Sequence, residues 1–192
     1  MRINEIFYSL QGEGHFTGRP AIFIRLAGCN LRCPFCDTDF TSYTEMAVAD
    51  ILKAIAPYPA RFVVLTGGEP SLQLTSEFIA ALKEAGYFIA IETNGTHPLP
   101  AGIDWVTLSP KSAFVKHADV VLERCNELKL VYNGKTDPSD FLTIEADEYY
   151  LQPCDTGNEQ VNAVIQQATI DYCKQHPLWS LSLQMHKIVG IK

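Results

Sequence analysis

Apolar residues recur along this chain in two different spacings, which predict strands that alternate with helices. Short runs rich in β-branched and aromatic residues are typical of buried strands, whereas apolar residues three or four positions apart are typical of helices. The runs predict strands over residues 21–27, 61–66, 87–93, 105–108, 127–132, 149–152 and 180–185. Helical spacing occupies residues 46–56, 76–85 and 159–175. An apolar run over 3–10 opens the chain, and residues 115–124 fit neither pattern clearly.

This alternation predicts an α/β fold with a parallel sheet covered by helices. Polar, glycine-bearing motifs follow several of the predicted strands, at the carboxyl ends where parallel sheets and barrels place ligands. With 192 residues, the chain is too short for a complete eight-fold barrel of about 250 residues. We therefore predict an incomplete TIM-type barrel with parallel strands, formed by a single domain over residues 1–192.

Composition narrows the classes of partner. The net charge is −7 and no run rich in Lys or Arg is present, which argues against a nucleic-acid partner. No segment approaches the roughly 20 apolar residues of a membrane span, so we expect no membrane partner. The first residues, MRINEIFYSL, lack the pattern of a signal peptide, and we expect a cytoplasmic protein. In that compartment the six cysteines are expected to stay reduced.

Three cysteines carry the strongest chemical signal. Cys29, Cys33 and Cys36 form a C-x3-C-x2-C pattern in the loop that follows the second apolar run. A structural zinc site or a ferredoxin cluster takes four protein ligands. Three thiolates on a 4Fe–4S cluster leave one iron open, and that iron can bind S-adenosylmethionine (SAM) and cleave it reductively to a 5′-deoxyadenosyl radical. The alternatives are a cysteine group without function, or a zinc site completed by Cys154.

The spacing resembles that of the radical SAM superfamily, and neighbouring residues strengthen the resemblance. Phe35 occupies the superfamily's aromatic position beside the adenine, and the sequence GGEP at 67–70 resembles the motif that meets the SAM amino group. The glycines of that motif permit close backbone approach. The resemblance implies a compact radical SAM core.

The chain more closely resembles one family, the 7-carboxy-7-deazaguanine synthases. The opening EIFYSLQGEG, the segment GRPAIFIRLAGCNLRCPFCDTDF and the ending QMHKIVGI carry the resemblance, with GGEPSLQ, ETNGT, SPK and QPCD in order between them. This family converts 6-carboxy-5,6,7,8-tetrahydropterin to 7-carboxy-7-deazaguanine with release of ammonia, for queuosine and related 7-deazapurines. The resemblance implies Mg²⁺ as a further cofactor, a homodimer, and a flavodoxin or ferredoxin as electron donor.

The resemblance also implies two sets of ligand-binding residues. Those expected to bind SAM are Phe35, Asp37, Gly68, Glu69, Glu92, Ser109, Pro110, Lys111, Gln152, Pro153, Cys154 and Asp155. Those expected to bind the pterin are Leu10, Gln11, Gly12, Glu13, Arg25, Thr66, His186 and Lys192.

Several of these residues also suit their roles chemically. Arg25 lies on the strand that leads into the cysteine loop, where its guanidinium can clamp a carboxylate bidentately. By resemblance Thr38 is the magnesium ligand, although Asp37 is the more obvious one by charge, and the residues leave that choice open. His186 is a candidate catalytic residue or substrate contact, because a pKa near 6.5 suits a proton shuttle.

Three other functions compete with this one. A glycyl-radical-activating enzyme, or another small radical SAM enzyme, would share the cysteine loop and GGEP but lack the LQGEG opening and the QxHK ending. A zinc or iron–sulfur interaction module would be non-catalytic. An RNA-modifying radical enzyme is disfavoured by the acidic charge.

Overall fold

The computed structural model describes residues 1–39 and 41–192; Phe40, the last residue of the CDTDF motif, lies outside them. Nine strands form one sheet with the spatial order β3-β1-β2-β4-β5-β6-β7-β8-β9. Strands β1 and β3 run antiparallel to their neighbours, and every pair from β2 to β9 is parallel. The strands are β1 Arg2–Leu10, β2 Pro20–Leu26, β3 Thr44–Glu45, β4 Phe62–Gly67, β5 Phe88–Thr93, β6 Trp105–Leu108, β7 Arg124–Tyr132, β8 Glu145–Pro153 and β9 Ser180–Leu181. The helices are α1 Val48–Ile55, α2 Ser76–Glu84, α3 Glu159–Gln175 and α4 Met185–Val189.

One face of the sheet packs against the helices and holds most of the core. Ile22, Ile24 and Leu65 point to this face and pack with residues of α1 and α2 such as Ile51 and Phe78. Farther along the sheet, a second cluster joins β7 and β8 to α3. Because successive strand side chains alternate between faces, the intervening residues must point to the opposite, inner face.

The inner face changes from apolar to polar along the strands. Near the strand starts it carries Phe23, Phe62, Val64 and Ala90, which form a third apolar cluster. Toward the carboxyl ends the same positions carry polar residues, and the register pairs Arg25 with Thr66, Glu92 with Thr107, and Thr107 with Glu127. The alternation of the strands therefore gathers polar groups at one end of the interior.

The sheet curls far enough to bring distant segments together without closing. Ser9 on β1 donates a hydrogen bond from its Oγ to the carbonyl oxygen of Lys192, which follows the last strand. Within the described residues, the strand order nevertheless ends at two separate edges, β3 and β9. The prediction of an α/β fold with an incomplete, parallel barrel is confirmed.

The loop over residues 11–19, called here the β1–β2 loop, fills the part of the interior near the amino ends of the strands. The ring of Phe16 contacts Phe62, Phe88 and Trp105, with centroids 4.8, 5.9 and 4.9 Å away. The Arg19 guanidinium lies over the Phe62 ring at 4.6 Å. These contacts anchor the loop near the amino ends of the strands, while its first residues, Gln11 to Glu13, face the polar carboxyl ends.

One predicted element differs in kind from the structure, and the bounds of several others shift by a few residues. The predicted strand over 180–185 is wrong, because pairing stops at Leu181 and helix α4 begins at Met185. Ser182 still contacts β8, because its N–H donates to the Leu151 carbonyl oxygen at 2.9 Å, while its hydroxyl donates to Gln152 Oε1 and accepts from the Gly14 N–H. Residues 115–123 form no regular element, and β7 starts at Arg124. In the described residues, no helix combines the length and apolarity needed to cross a membrane.

The Phe16 contacts lead to a stability prediction. Phe16→Ala is expected to lower the free energy of unfolding by about 2 kcal/mol, because it removes a half-buried ring from an aromatic cluster. Urea denaturation followed by circular dichroism measures this change. Val164→Ala, at a 71% exposed position on α3, is the control and should change stability by less than about 0.5 kcal/mol. Equal effects of the two substitutions would contradict the anchoring role of Phe16.

Candidate active site

A cavity of about 740 Å³ opens at the carboxyl ends of the parallel strands. This volume lies within the range of small-molecule sites. It is lined by the three cysteines, by Thr38 and by nearly all residues predicted to bind SAM or pterin. Two predicted residues, Pro110 and Cys154, are buried beside the cavity and do not line it. The structure therefore brings the predicted cofactor and substrate residues to one place.

The cysteine loop starts where β2 ends and is held by a close backbone contact. The Glu69 N–H donates a hydrogen bond of 2.9 Å to the carbonyl oxygen of Gly28. A Cβ on Gly68 would overlap that same carbonyl group and would meet the Cβ of Cys29 at 3.0 Å. Residue 68 must therefore be glycine for the GGEP turn and the cysteine loop to lie against each other.

The cysteines themselves are reduced and accessible to the cavity. Cys29 and Cys33 are half-buried, and Cys36 is exposed. Burial raises the pKa of the Cys29 and Cys33 thiols, while the nearby Lys111 charge opposes this effect at Cys33. The Leu31 N–H lies 3.4 Å from the Cys29 Sγ and donates a hydrogen bond to it. Such a donor stabilises a thiolate and tunes an iron–sulfur centre.

Glu69 holds the GGEP turn against the next strand. Its carboxylate is 1% exposed and accepts hydrogen bonds from the Thr93 hydroxyl at 2.7 Å, the Asn94 N–H at 2.7 Å and the Ser71 N–H at 3.0 Å. Buried charges are retained where such donors satisfy them. Glu69 was predicted to contact SAM, and in this structure three donors from the chain occupy its oxygens.

Asn30 connects the cysteine loop to the loop that follows β5. Its side-chain amide donates to the Thr96 hydroxyl at 2.8 Å, and its carbonyl oxygen accepts from the Asn94 amide at 3.1 Å. The loop that carries the cysteines is thus fixed from two sides, by the GGEP turn and by the ETNGT segment.

Lys111 places a positive charge at the wall of the cavity. Its Nζ donates to the backbone oxygen and to the hydroxyl of Ser109, both at 2.6 Å. Burial lowers the pKa of Lys111, and the Cys33 group opposes this shift. The predicted pair Ser109 and Lys111 therefore forms one hydrogen-bonded unit beside the cysteines.

Arg25 lies on the inner face of β2, as predicted. Its Nε donates to Glu5 Oε1 at 2.8 Å, and its Nη1 lies 3.4 Å from the Thr38 hydroxyl. Its guanidinium also stacks near the Phe7 ring at 5.7 Å. Glu5, which carries no motif of its own, orients the guanidinium, and among the described residues the other side-chain partner of Arg25 is Thr38, so N–H groups remain for a ligand.

A charged group stands at the centre of the interior. Lys129 Nζ lies 2.8 Å from Glu13 Oε2 and 2.8 Å from Glu92 Oε2. Burial tends to raise the pKa of Glu13, but the Lys129 charge and hydrogen bonds from Lys129 and Gln184 lower it to about 2. Burial raises the pKa of Glu92 to about 7 despite the Lys129 charge. Lys129 was not predicted as a site residue, because the segment ELKLVY has the pattern of a buried strand. The charged residues at alternate positions of that segment, Glu127 and Lys129, were the available signal.

The C-terminal helix α4 closes the cavity from the side. His186 lies against Gly12, where any Cβ would overlap its ring, and Met185 N–H donates to the Gly12 carbonyl oxygen at 2.9 Å. Lys187 Nζ forms ion pairs of 2.8 Å with both Asp37 and Asp155. His186 follows a helix start rather than a strand end, which corrects its predicted setting but leaves it at the cavity.

Comparison with known proteins agrees with this arrangement. Residues 23–132 match the model of the Radical SAM superfamily. A protein of Bacteroides thetaiotaomicron named 7-carboxy-7-deazaguanine synthase is 48% identical, and the match covers 100% of this chain and 98% of that protein. A Bordetella pertussis protein of the same name is 42% identical, with 98% of both chains covered.

The chain belongs to the 7-carboxy-7-deazaguanine synthase family. A solved structure of QueE from Escherichia coli is similar as well, with a TM-score of 0.76, 31% identity, and coverage of 96% of this chain and 94% of that one. Membership in the radical SAM superfamily implies a 4Fe–4S cluster and SAM as cofactors. The full-length similarity to synthases favours this family over a glycyl-radical-activating enzyme.

The residues of this synthase-family chain fit a 4Fe–4S cluster. Three thiols share one loop, and a backbone donor and a buried lysine lie beside them. Among residues 1–39 and 41–192, no three His, Cys, Asp or Glu side chains surround a point suited to one metal ion. The match to the Radical SAM superfamily favours the iron–sulfur cluster over the zinc alternative.

The Gly68 contact leads to a prediction for metal loading. Gly68→Ala is expected to reduce the iron bound after anaerobic reconstitution several-fold, because the added methyl displaces the cysteine loop. Iron analysis and visible absorbance measure the effect. Gly86→Ala is the control, since it introduces backbone strain at φ 80° in open space, away from the cavity. Full iron content in Gly68→Ala would contradict the role assigned to this contact.

Proposed function

We propose that this protein is a radical SAM enzyme that contracts 6-carboxy-5,6,7,8-tetrahydropterin to 7-carboxy-7-deazaguanine with release of ammonia, in the pathway to queuosine. The observation that carries the proposal is the shared cavity: the cysteine loop and the group formed by Gln11, Glu13, Arg25 and Glu92 line the same 740 Å³ space. The names of the full-length relatives support the same activity. When bound, the cluster and SAM supply a carbon-centred radical.

The first task of the chain is to hold the carboxylate of the pterin. Arg25 is oriented by Glu5, and its free N–H groups suit bidentate binding of a carboxylate. Thr38 lies at hydrogen-bonding distance from the same guanidinium. Thr38 would hold a magnesium ion, which would supply positive charge for the substrate carboxylate. Asp37 is paired with Lys187, which supports Thr38 rather than Asp37 as the magnesium ligand.

The second task is to recognise the pyrimidine edge. An aminopyrimidinone presents N–H donors and a carbonyl acceptor side by side, and a carboxylate with an amide complements that pattern. Glu13 and Gln11 offer this combination at the end of the β1–β2 loop. Glu13 remains ionised at neutral pH because its pKa is lowered to about 2, so it accepts hydrogen bonds and donates none.

His186 is proposed as a substrate contact or proton shuttle. It lines the cavity on α4 and touches the loop that carries Gln11 and Glu13. Lys192 lies nearby, with its amino group paired to Glu5. We further propose a cytoplasmic homodimer reduced by a flavodoxin or ferredoxin, on the strength of the family resemblance.

The function is tested anaerobically with cluster-reconstituted protein, SAM, reductant, magnesium and 6-carboxytetrahydropterin. Mass spectrometry is expected to detect 7-carboxy-7-deazaguanine while the SAM concentration stays constant. Cys33→Ser should abolish product formation, because it removes one ligand of the cluster. Cys173→Ser, at a cysteine on α3 remote from the cavity, is the matched control and should retain activity. Cleavage of SAM without conversion of the pterin would contradict the substrate assignment.

The proposed clamp makes a separate prediction. Arg25→Lys is expected to raise the KM for the pterin at least about tenfold, because an ammonium group cannot reproduce bidentate binding. Steady-state kinetics over a range of pterin concentrations measure this effect. Arg124→Lys, at an exposed ion pair on β7, is the control and should leave KM unchanged. An unchanged KM in Arg25→Lys would indicate that the carboxylate is bound elsewhere.

A further inference from the structure

The sequence motifs assign no role to Lys129. It lies on the inner face of β7, with a side chain that is only 4% exposed. Its two partners come from different segments: Glu13 from the β1–β2 loop and Glu92 from the end of β5. One ammonium group therefore links three parts of the interior that are far apart in the sequence.

Lys129, Glu13 and Glu92 all line the cavity, but the two carboxylates expose far more of their side chains to it. The Glu13 and Glu92 side chains are 19% and 22% exposed, and both line the cavity. With two ion pairs at 2.8 Å and almost no exposed surface, Lys129 is poorly placed to bind a ligand of its own. Lys129 is therefore placed to act on a bound molecule mainly through Glu13 and Glu92.

Each carboxylate is fixed at both oxygens. Glu13 accepts from Lys129 with Oε2 and from the Gln184 amide with Oε1, at 3.0 Å. Glu92 accepts from Lys129 with Oε2 and from the Gln11 amide with Oε1, at 3.1 Å. Lys129 is the donor common to both, so its removal takes one hydrogen bond away from each carboxylate.

The surrounding charges make the ammonium group necessary. Glu127 lies two residues before Lys129 on the same strand, is 2% exposed and leaves its Oε1 without a partner. Lys111 and His186 also face this group, but neither forms an ion pair with Glu13 or Glu92. Without Lys129, three carboxylates would share the interior with no bonded cation, and like charges there disfavour ionisation.

We propose that Lys129 is a positioning residue, which orients Glu13 and Glu92 toward the pterin and favours their ionised, hydrogen-bond-accepting forms without contacting the substrate itself. The inference rests on the proposed function for the identity of the substrate. Its electrostatic part rests only on the contacts within the chain.

The expected pH dependence of activity follows from the direction in which Lys129 shifts the pKa values of Glu13 and Glu92. Lys129 lowers the pKa values of Glu13 and Glu92, so a neutral residue in its place raises both. An acid with a raised pKa takes up its proton at higher pH as the pH falls. The acidic limb of the activity profile should therefore move to higher pH in Lys129→Met.

The test compares Lys129→Met and Lys129→Arg with Lys174→Met, an exposed control on the last turn of α3. Lys129→Met is expected to lose about 100-fold in kcat/KM, the loss typical of a misplaced catalytic site, and to show the shifted acidic limb. Lys129→Arg should keep the wild-type acidic limb and recover part of the activity. A Lys129→Met enzyme within twofold of wild type, with an unchanged pH profile, overturns the proposal.

Removing a buried cation can prevent folding, so a second variant is included. Lys129→Met combined with Glu127→Gln removes one carboxylate together with the ammonium group and keeps the interior closer to neutral. It should fold and still show the upward shift of the acidic limb. A folded double variant with the wild-type profile overturns the proposal in the same way.

An infrared titration separates this inference from the proposed function, because it needs no substrate. Protonated carboxyl groups are expected at higher pH in Lys129→Met than in wild type, and they should decrease when Glu13→Gln is added. If wild type fails to convert the pterin, the proposed function falls while this titration still decides the electrostatic part. If wild type is active and the titrations coincide, the Lys129 inference falls and the proposed function stands.

Discussion

The interior of this partial barrel depends on the pairing of charges that are shielded from water. Isolated charges are costly to bury, and they persist only where partners and hydrogen bonds satisfy them. Two sites meet this requirement here: the Glu69 carboxylate, with three donors around it, and the ion pairs of Lys129 with Glu13 and Glu92. The first holds the loops that surround the cysteines, and the second holds the loop that faces the substrate side. Both halves of the cavity are thus supported by carboxylates whose oxygens have bonded partners.

The β1–β2 loop couples stability to function. Phe16 of this loop packs among aromatic rings, and Gln11 and Glu13 of the same loop line the cavity. Because one short segment does both, the aromatic packing of Phe16 also helps to fix the positions of Gln11 and Glu13. The incomplete barrel leaves room for this arrangement, since its interior is filled by a loop rather than by further strands.

Much of this architecture is predictable from local sequence. The strands β4, β5 and β6 coincide with the apolar runs that predict them, and the cysteines and GGEP lie at strand ends as parallel-sheet logic requires. The role of Lys129 was not predictable, because its partners are 116 and 37 residues away and only the folded chain brings them together. Helix α4 was missed for a related reason. The segment after Leu181 alternates polar and apolar residues as a strand would, but beyond Ser182 the Met185 N–H donates to the Gly12 carbonyl oxygen, a partner distant in the sequence.

The contact between Gly12 and His186 joins the first motif of the chain to its last. Gly12 has no side chain where the imidazole lies, and its carbonyl oxygen accepts the N–H of Met185. LQGEG and QMHK, which the sequence presents as separate signatures about 170 residues apart, are two sides of one interface. Neither can accept a bulkier residue unless the other yields space. The two motifs that mark the family thus meet in one close contact between Gly12 and His186. Substitutions in one motif are therefore expected to depend on substitutions in the other.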